Sequence, residues 1–437
     1  VYIKLETFVR IFLKRSFSQT KLSLMKNRLL ILFVILSHLA FGQDTLSLED
    51  IKSNYYKFTI NDGKIEGKGA QFLLEEFSNS HVVMLGEYHE QKSISDFTKT
   101  IIPILNKNGY KHFGIEVGPT MGEYLNTLSS PTVVSEIKKV NKHYQIVDGE
   151  DTCTPIPFFS NIEDAQFLDE AKKHQWNIFG VDQEFYDSYP FLFDIMFDNL
   201  NSNGKKTHTS LHQSAKDSID AFYLKEMNEG LSYVTLINES PMISDFLKAM
   251  KEEKANLPIV EAFNKSIAIY KMNDDNKWYD NYQARITYMK RLLRQEFEAE
   301  QYDITRDKLL IKMGRLHLSK GTSPYAFSEL GNTLDELAAF DGVNALGIGF
   351  ETRYYIENDS IVDQLDSDNK RIQNYKGFKQ FGDKYEWVIL DLRPMRKDFH
   401  WHPHPLKGKL NTYLLKLISN YDILIIPPAY GDGTPNY

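Results

Sequence analysis

A single cysteine, Cys153, is all the thiol this 437-residue chain contains, which excludes an internal disulfide and any multi-cysteine metal site. The marks of several common chemistries are missing as well. No GxSxG elbow, Walker A loop or HExxH helix occurs, so serine-hydrolase, P-loop and zincin mechanisms lack their signatures. The glycine pair Gly347 and Gly349 lacks the third glycine and the helix start of a dinucleotide fingerprint. There is no internal repeat and no low-complexity tract. The apolar run at 29–36 falls short of the about 20 residues that a membrane-spanning helix needs.

What is present is ordinary for a globular protein with a large core: 42% hydrophobic and 25% charged residues. The aromatic share of 13% is on the high side, and aromatic side chains serve equally as core and as pocket lining. From Met25, a basic start (Lys26, Arg28), the apolar run and a small-x-small site at Ala40-Phe41-Gly42 give the layout of a secretory signal peptide. Residues 1–43 therefore read as an N-terminal extension plus signal peptide, the signal beginning at about 25. They carry seven Lys/Arg and one acid, so the net charge of −8 for the whole chain becomes −14 for the remainder. An acidic, exported protein is a poor non-specific binder of nucleic acid. Without the signal it also has no stable membrane insertion. A small-molecule substrate is the expected partner, and the periplasm or exterior the expected location.

Residues 44–437 read as one α/β domain. Short apolar runs at 82–85, 112–117, 176–181, 308–313, 345–350, 387–390 and 423–426 alternate with helical patterns, which predicts a mostly parallel sheet with flanking helices. Residues 188–300 hold almost no strand signal and read as a large helical cap insertion at the strand ends. Locally, 47–58 is expected to be a short helix and 201–209 an exposed turn. The pattern weakens over 133–160, and Asn161 is expected to cap a helix with Glu163 and Asp164 in its first turn.

Ligands of open parallel sheets bind at the carboxyl ends of the strands, and the ionisable residues gather there. Glu87 and His89 follow the first run at i and i+2, a spacing that puts both on one side of an extended chain. Glu116 ends the second run, Asp182 follows the third, and His317 lies four residues past the fourth. A carboxylate beside an imidazole fixes its tautomer and raises its basicity. His400, His402 and His404 alternate in a proline-broken segment; period-two imidazoles suit zinc or copper, and a rim loop is the expected setting.

These residues carry a resemblance. LGEYHE, a helix and then HFGIEVG resemble the GE-x-H strand end and later strand-end Glu of erythromycin esterase-like proteins, a superfamily shared with haem-binding ChaN-like and TIKI-like proteins. GVDQE resembles the family's Asp-bearing strand end, NYQARITYMKRLL its R-x-x-x-M helix, and KMGRLHLSKG its histidine turn, over roughly residues 75–430. The resemblance implies hydrolysis of an ester or lactone by directly activated water, with no cofactor required. His89 would be the base, Glu87 and Glu116 would orient it or the water, His317 would complete the site and Arg285 would steady negative charge. Asp182 and Met289 would meet the substrate. The alternative is a relative in which Glu87, His89, Glu116 and His317 hold a divalent metal or haem, as a metal-dependent hydrolase or a non-catalytic binding protein. Two features depart from the family pattern: Tyr88 and Glu90 flank the first histidine, and Arg315-Leu316 replaces an Asn-containing turn.

Overall fold

The computed structural model describes residues 46–148, 151–396 and 410–437; the signal-like segment and the His400, His402 and His404 group lie outside the described residues. Among those described, nine strands form one sheet: β1 (Tyr55–Asn61), β2 (Lys64–Glu66), β3 (Val82–Glu87), β4 (Tyr110–Ile115), β5 (Asn177–Gly180), β6 (Lys308–Gly314), β7 (Ala345–Phe350), β8 (Trp387–Asp391) and β9 (Ile423–Ile426). They lie in the order β2-β1-β8-β9-β7-β3-β6-β4-β5. From β9 to β5 every pairing is parallel, while β8, β1 and β2 pair antiparallel at the other side. The expected α/β class, mostly parallel, is what the chain adopts.

The central strands are apolar runs because both faces are covered. β3 is buried along its whole length, and its period of two splits it between two cores. Val83 and Leu85 join one core with α1 (Lys68–Asn79), α2 (Lys92–Lys107), α3 (Pro119–Thr127), α4 (Val133–Tyr144) and α5 (Ile162–Lys173). Val82 and Met84 join the other core. Between β5 and β6 the chain is helical: α6 (Tyr189–Asp198), α7 (Ser202–Glu229), α8 (Tyr233–Glu239), α9 (Pro241–Met250) and α10 (Leu257–Asp274) bury a cluster of their own. The last helix of this stretch, α11 (Trp278–Ala299), returns to the sheet. Its Met289 and Leu293 pack with Val82, Met84 and α12 (Leu330–Phe340). No helix among the described residues is long and apolar enough to cross a membrane.

Three local expectations are corrected. The helix expected over 47–58 is confined to Leu48–Ile51 and a short 3-10 turn, after which β1 begins. Tyr55, Tyr56, Phe58, Thr59 and Ile60 are aromatic or β-branched, and Asp62 and Gly63 take the left-handed φ values of 48° and 72° that a tight hairpin requires. The turn expected at 201–209 is the start of the 28-residue α7, with Asn201 accepting hydrogen bonds from the Asn203 and Gly204 amides at 3.0 Å. Only Ala215 and Ile219 of α7 are fully buried, so its first turns carry no apolar stripe to read. Asn161 stands at the N-cap of α5 but its side chain makes no capping bond; its amide group instead lies 3.5 Å from the Glu90 carbonyl.

Candidate active site

Parallel register brings the strand ends together. Glu87 pairs in register with Gly314 across β3 and β6, and Ile115 pairs with Lys312 on one side and Gly180 on the other. Glu116, one residue past β4, and Asp182, two past β5, therefore reach the same edge. α11 supplies Arg285 from above. The walls enclose a cavity of about 950 Å³ that takes in Glu87, His89, Glu116, Asp182, Arg285 and His317, a volume suited to a drug-sized molecule.

At the centre is Glu116, almost fully buried. Its Oε2 accepts the Gly314 amide at 2.5 Å and its Oε1 accepts Arg285 at 3.1 Å. Two imidazoles face it, His89 Nε2 at 3.7 Å and His317 Nε2 at 3.6 Å. Each is held from behind by its own carboxylate: His89 Nδ1 lies 3.1 Å from Glu87 and His317 Nδ1 lies 3.1 Å from Glu329. An ionised carboxylate only accepts, so both Nδ1 atoms carry a proton and each ring turns its Nε2 toward Glu116. Gly314 must be glycine: a Cβ there would sit 2.9 Å from His89 Nε2.

The electrostatics follow from the pairing. Burial alone would raise the Glu116 pKa, but His89, His317, Arg285 and the Gly314 amide together hold it well below the usual range. Burial opposes charge on His89, yet Glu116 and Glu87 outweigh it and raise its pKa above the usual 6.5. Glu87 is also buried, and its pKa is lowered all the same by Lys312 and His89. Arg285 is raised, since the charges of Asp182 and Glu116 overcome its burial. Asp182 engages it through both oxygens, Oδ1 at 3.0 Å from Nε and Oδ2 at the terminal nitrogen.

The sequence-derived residues Glu87, His89, Glu116, Asp182, Arg285 and His317 are thus brought together. Met289 is not on the cavity wall: it is fully buried in the apolar cluster below, one turn beyond Arg285. Asp182 lines the cavity, and both of its oxygens are given to Arg285. Sequence reasoning missed three residues of the site and one pairing. Lys312, buried inside β6, pairs with Glu87 Oε2; a lysine within an apolar parallel strand is a readable sign of a buried counter-charge. Glu329, fully buried just before α12, holds His317. Phe158 stacks on His89 with centroids 3.7 Å apart and planes at 10°. Arg315 ion-pairs with the buried Glu351.

The same side chains, Glu87, His89, Glu116 and His317, are the candidate ligands of a divalent ion. Among the described residues no group of three or more His, Cys, Asp or Glu side chains is disposed to hold one. Glu87 and Glu116 are already neutralised by Lys312 and Arg285, so an added cation would meet two fixed positive charges.

No family profile matches the sequence, and no curated protein matches it at a significant level. Similar solved structures include a Bacillus cereus protein (14% identity, 88% of this chain and 97% of that one, TM-score 0.49). A succinoglycan biosynthesis protein is similar over 89% of this chain and 97% of its own, at 14% identity and TM-score 0.49. A mutant of the erythromycin esterase EreC in its open conformation is similar over 87% and 98%, at 13% identity and TM-score 0.48.

Proposed function

We propose that this protein is a hydrolase that activates water with His89 to cleave an ester or lactone. The observation that carries the reading is the pair of carboxylate-held imidazoles converging on Glu116. A distance of 3.7 Å at His89 Nε2 is too long for a direct hydrogen bond, and the side chain is 32% exposed, so the nitrogen is open to a ligand from the cavity. Water gives its proton to Nε2 as its oxygen adds to the ester carbonyl. Arg285, fixed by Asp182 and Glu116, faces the negative charge that forms on the carbonyl oxygen. The intermediate collapses to the acid, and the imidazolium returns its proton to the departing alkoxide. Glu87, backed by Lys312, keeps the ring in the tautomer this requires, and Glu329 does the same for His317.

The signal-like segment at 25–43 supports export as part of the same proposal, and fractionation of expressing cells tests it. The function itself is tested with aryl esters and lactones against the parent protein and His89→Asn. Loss of turnover by about 100-fold or more in the variant is expected of a general base. Absence of turnover across the panel in the parent, or equal turnover in the variant, would overturn the reading.

A further inference from the structure

The two departures from the family pattern turn out to touch. The Arg315 guanidinium carbon lies 4.7 Å from the Tyr88 ring centroid and 4.8 Å from that of Tyr375. One terminal nitrogen pairs with the fully buried Glu351, which also accepts the Tyr88 hydroxyl at 3.1 Å and lies 3.2 Å from Lys379 Nζ. Two cations share one carboxylate, so this corner keeps a net positive charge. Lys379 borders a separate 140 Å³ cavity behind Tyr88 and Tyr375, whereas Arg315 borders the substrate cavity. Among the described residues, Glu351 is the only side chain that hydrogen-bonds the guanidinium. The backbone of Arg315 is anchored on both sides: its amide donates to the Glu87 carbonyl at 2.9 Å, and its own carbonyl accepts the Tyr421 hydroxyl. Aromatic rings against the guanidinium face leave bonding to its in-plane N–H edge, the geometry that matches a carboxylate.

We propose that Arg315 is a substrate-binding residue for a carboxylate, so that the preferred ester carries a second, uncleaved and negatively charged carboxylate near the bond that is cut. Tyr88 and Tyr375 hold the guanidinium in place. Arg315 follows Gly314, against which His89 lies, and Tyr88 precedes His89, so the bound carboxylate sits beside the reacting carbonyl. The proposal rests on the hydrolase reading for the position of that carbonyl, and its test keeps the two apart.

Binding is measured by titration calorimetry with 3-phenylpropanoate and its neutral counterpart 3-phenylpropanol, and turnover with mono-4-nitrophenyl glutarate and 4-nitrophenyl butyrate. The parent protein is expected to favour the anion in both pairs by about tenfold or more, as a charge-assisted bond to an ordered guanidinium gives. Arg315→Gln should collapse both ratios, and Arg315→Lys should restore part of the binding ratio. If Arg315→Gln fails to fold, Arg315→Met, which keeps an unbranched chain between the rings while Lys379 still pairs with Glu351, carries the comparison. Anion-selective binding that depends on Arg315, without turnover of either ester, upholds the subsite and sinks the hydrolase reading. Turnover with no anion preference, or a preference that survives Arg315→Gln, overturns the subsite and leaves the hydrolase reading standing.

Discussion

Phe158 lies flat on the imidazole of His89, its ring centroid 3.7 Å away, and it does so from a left-handed backbone, φ 63°. A bulky residue in that region costs on the order of 1–3 kcal/mol, and such strain persists where the surroundings over-determine it. Phe158→Gly removes both the ring and the strain. Turnover should fall about tenfold or more, because the imidazole loses the surface that fixes its plane, while the melting temperature stays level or rises. Thermal melts alongside kcat/KM check this; a variant that loses stability and keeps its activity would mean the stack serves the fold only.

The pH profile carries the sign of the His89 shift. The base must be neutral, so kcat/KM should climb as pH rises through a value above 6.5. For the fold the sign is opposite: protonated His89 is favoured by Glu116 and Glu87, so its stabilisation is full below 6.5 and is lost as pH rises through the raised value. Glu87→Gln removes one of the two charges, and the rising limb of activity should move to lower pH. A limb that does not move would deny Glu87 its hold on the base.

Lys312 and Glu87 are each about 4% exposed. Lys312→Met leaves Glu87 buried without its cation, and breaking a buried pair in this way costs about 3–5 kcal/mol. Urea unfolding should show that loss, and Lys312→Met with Glu87→Gln should recover much of it. An additive double variant would show that the two are not coupled.

Asp164, buried and hydrogen-bonded to the Ser95 hydroxyl at 2.5 Å, is pushed up to about 7 by burial. Its stabilisation is full below the usual 3.8 and is lost as pH rises toward about 7. Asp164→Asn should therefore be more stable than the parent at pH 8, with the gap narrowing toward pH 4 in urea titrations. A pH-independent difference would contradict the shift.

Chelation tests the remaining alternative. With Lys312 and Arg285 occupying the carboxylates, a metal chelator should change neither the melting temperature nor ester turnover. A drop in both, with metal released in stoichiometric amount, would replace water activation by His89 with a metal-bound mechanism.

The sequence by itself determined seven of the nine strands of the sheet and one edge of the site. Strands buried on both faces must read as apolar runs, and parallel strands align their carboxyl ends, so Glu87, His89, Glu116, Asp182 and His317 were legible as neighbours before any coordinates. The β1–β2 hairpin was not legible in this way, because the segment that holds most of β1 reads as a short helix. Arg285 came from the motif of its helix; Met289, in the same motif, belongs to the core because the side of α11 that reaches Asp182 one turn earlier is there pressed on the sheet. Tertiary structure alone decided the pairing. Lys312 meets Glu87, Glu329 meets His317, Phe158 covers His89 and Arg315 meets Tyr88 through register and loop packing between distant segments, and side-chain contacts of that kind leave no period in the chain to read.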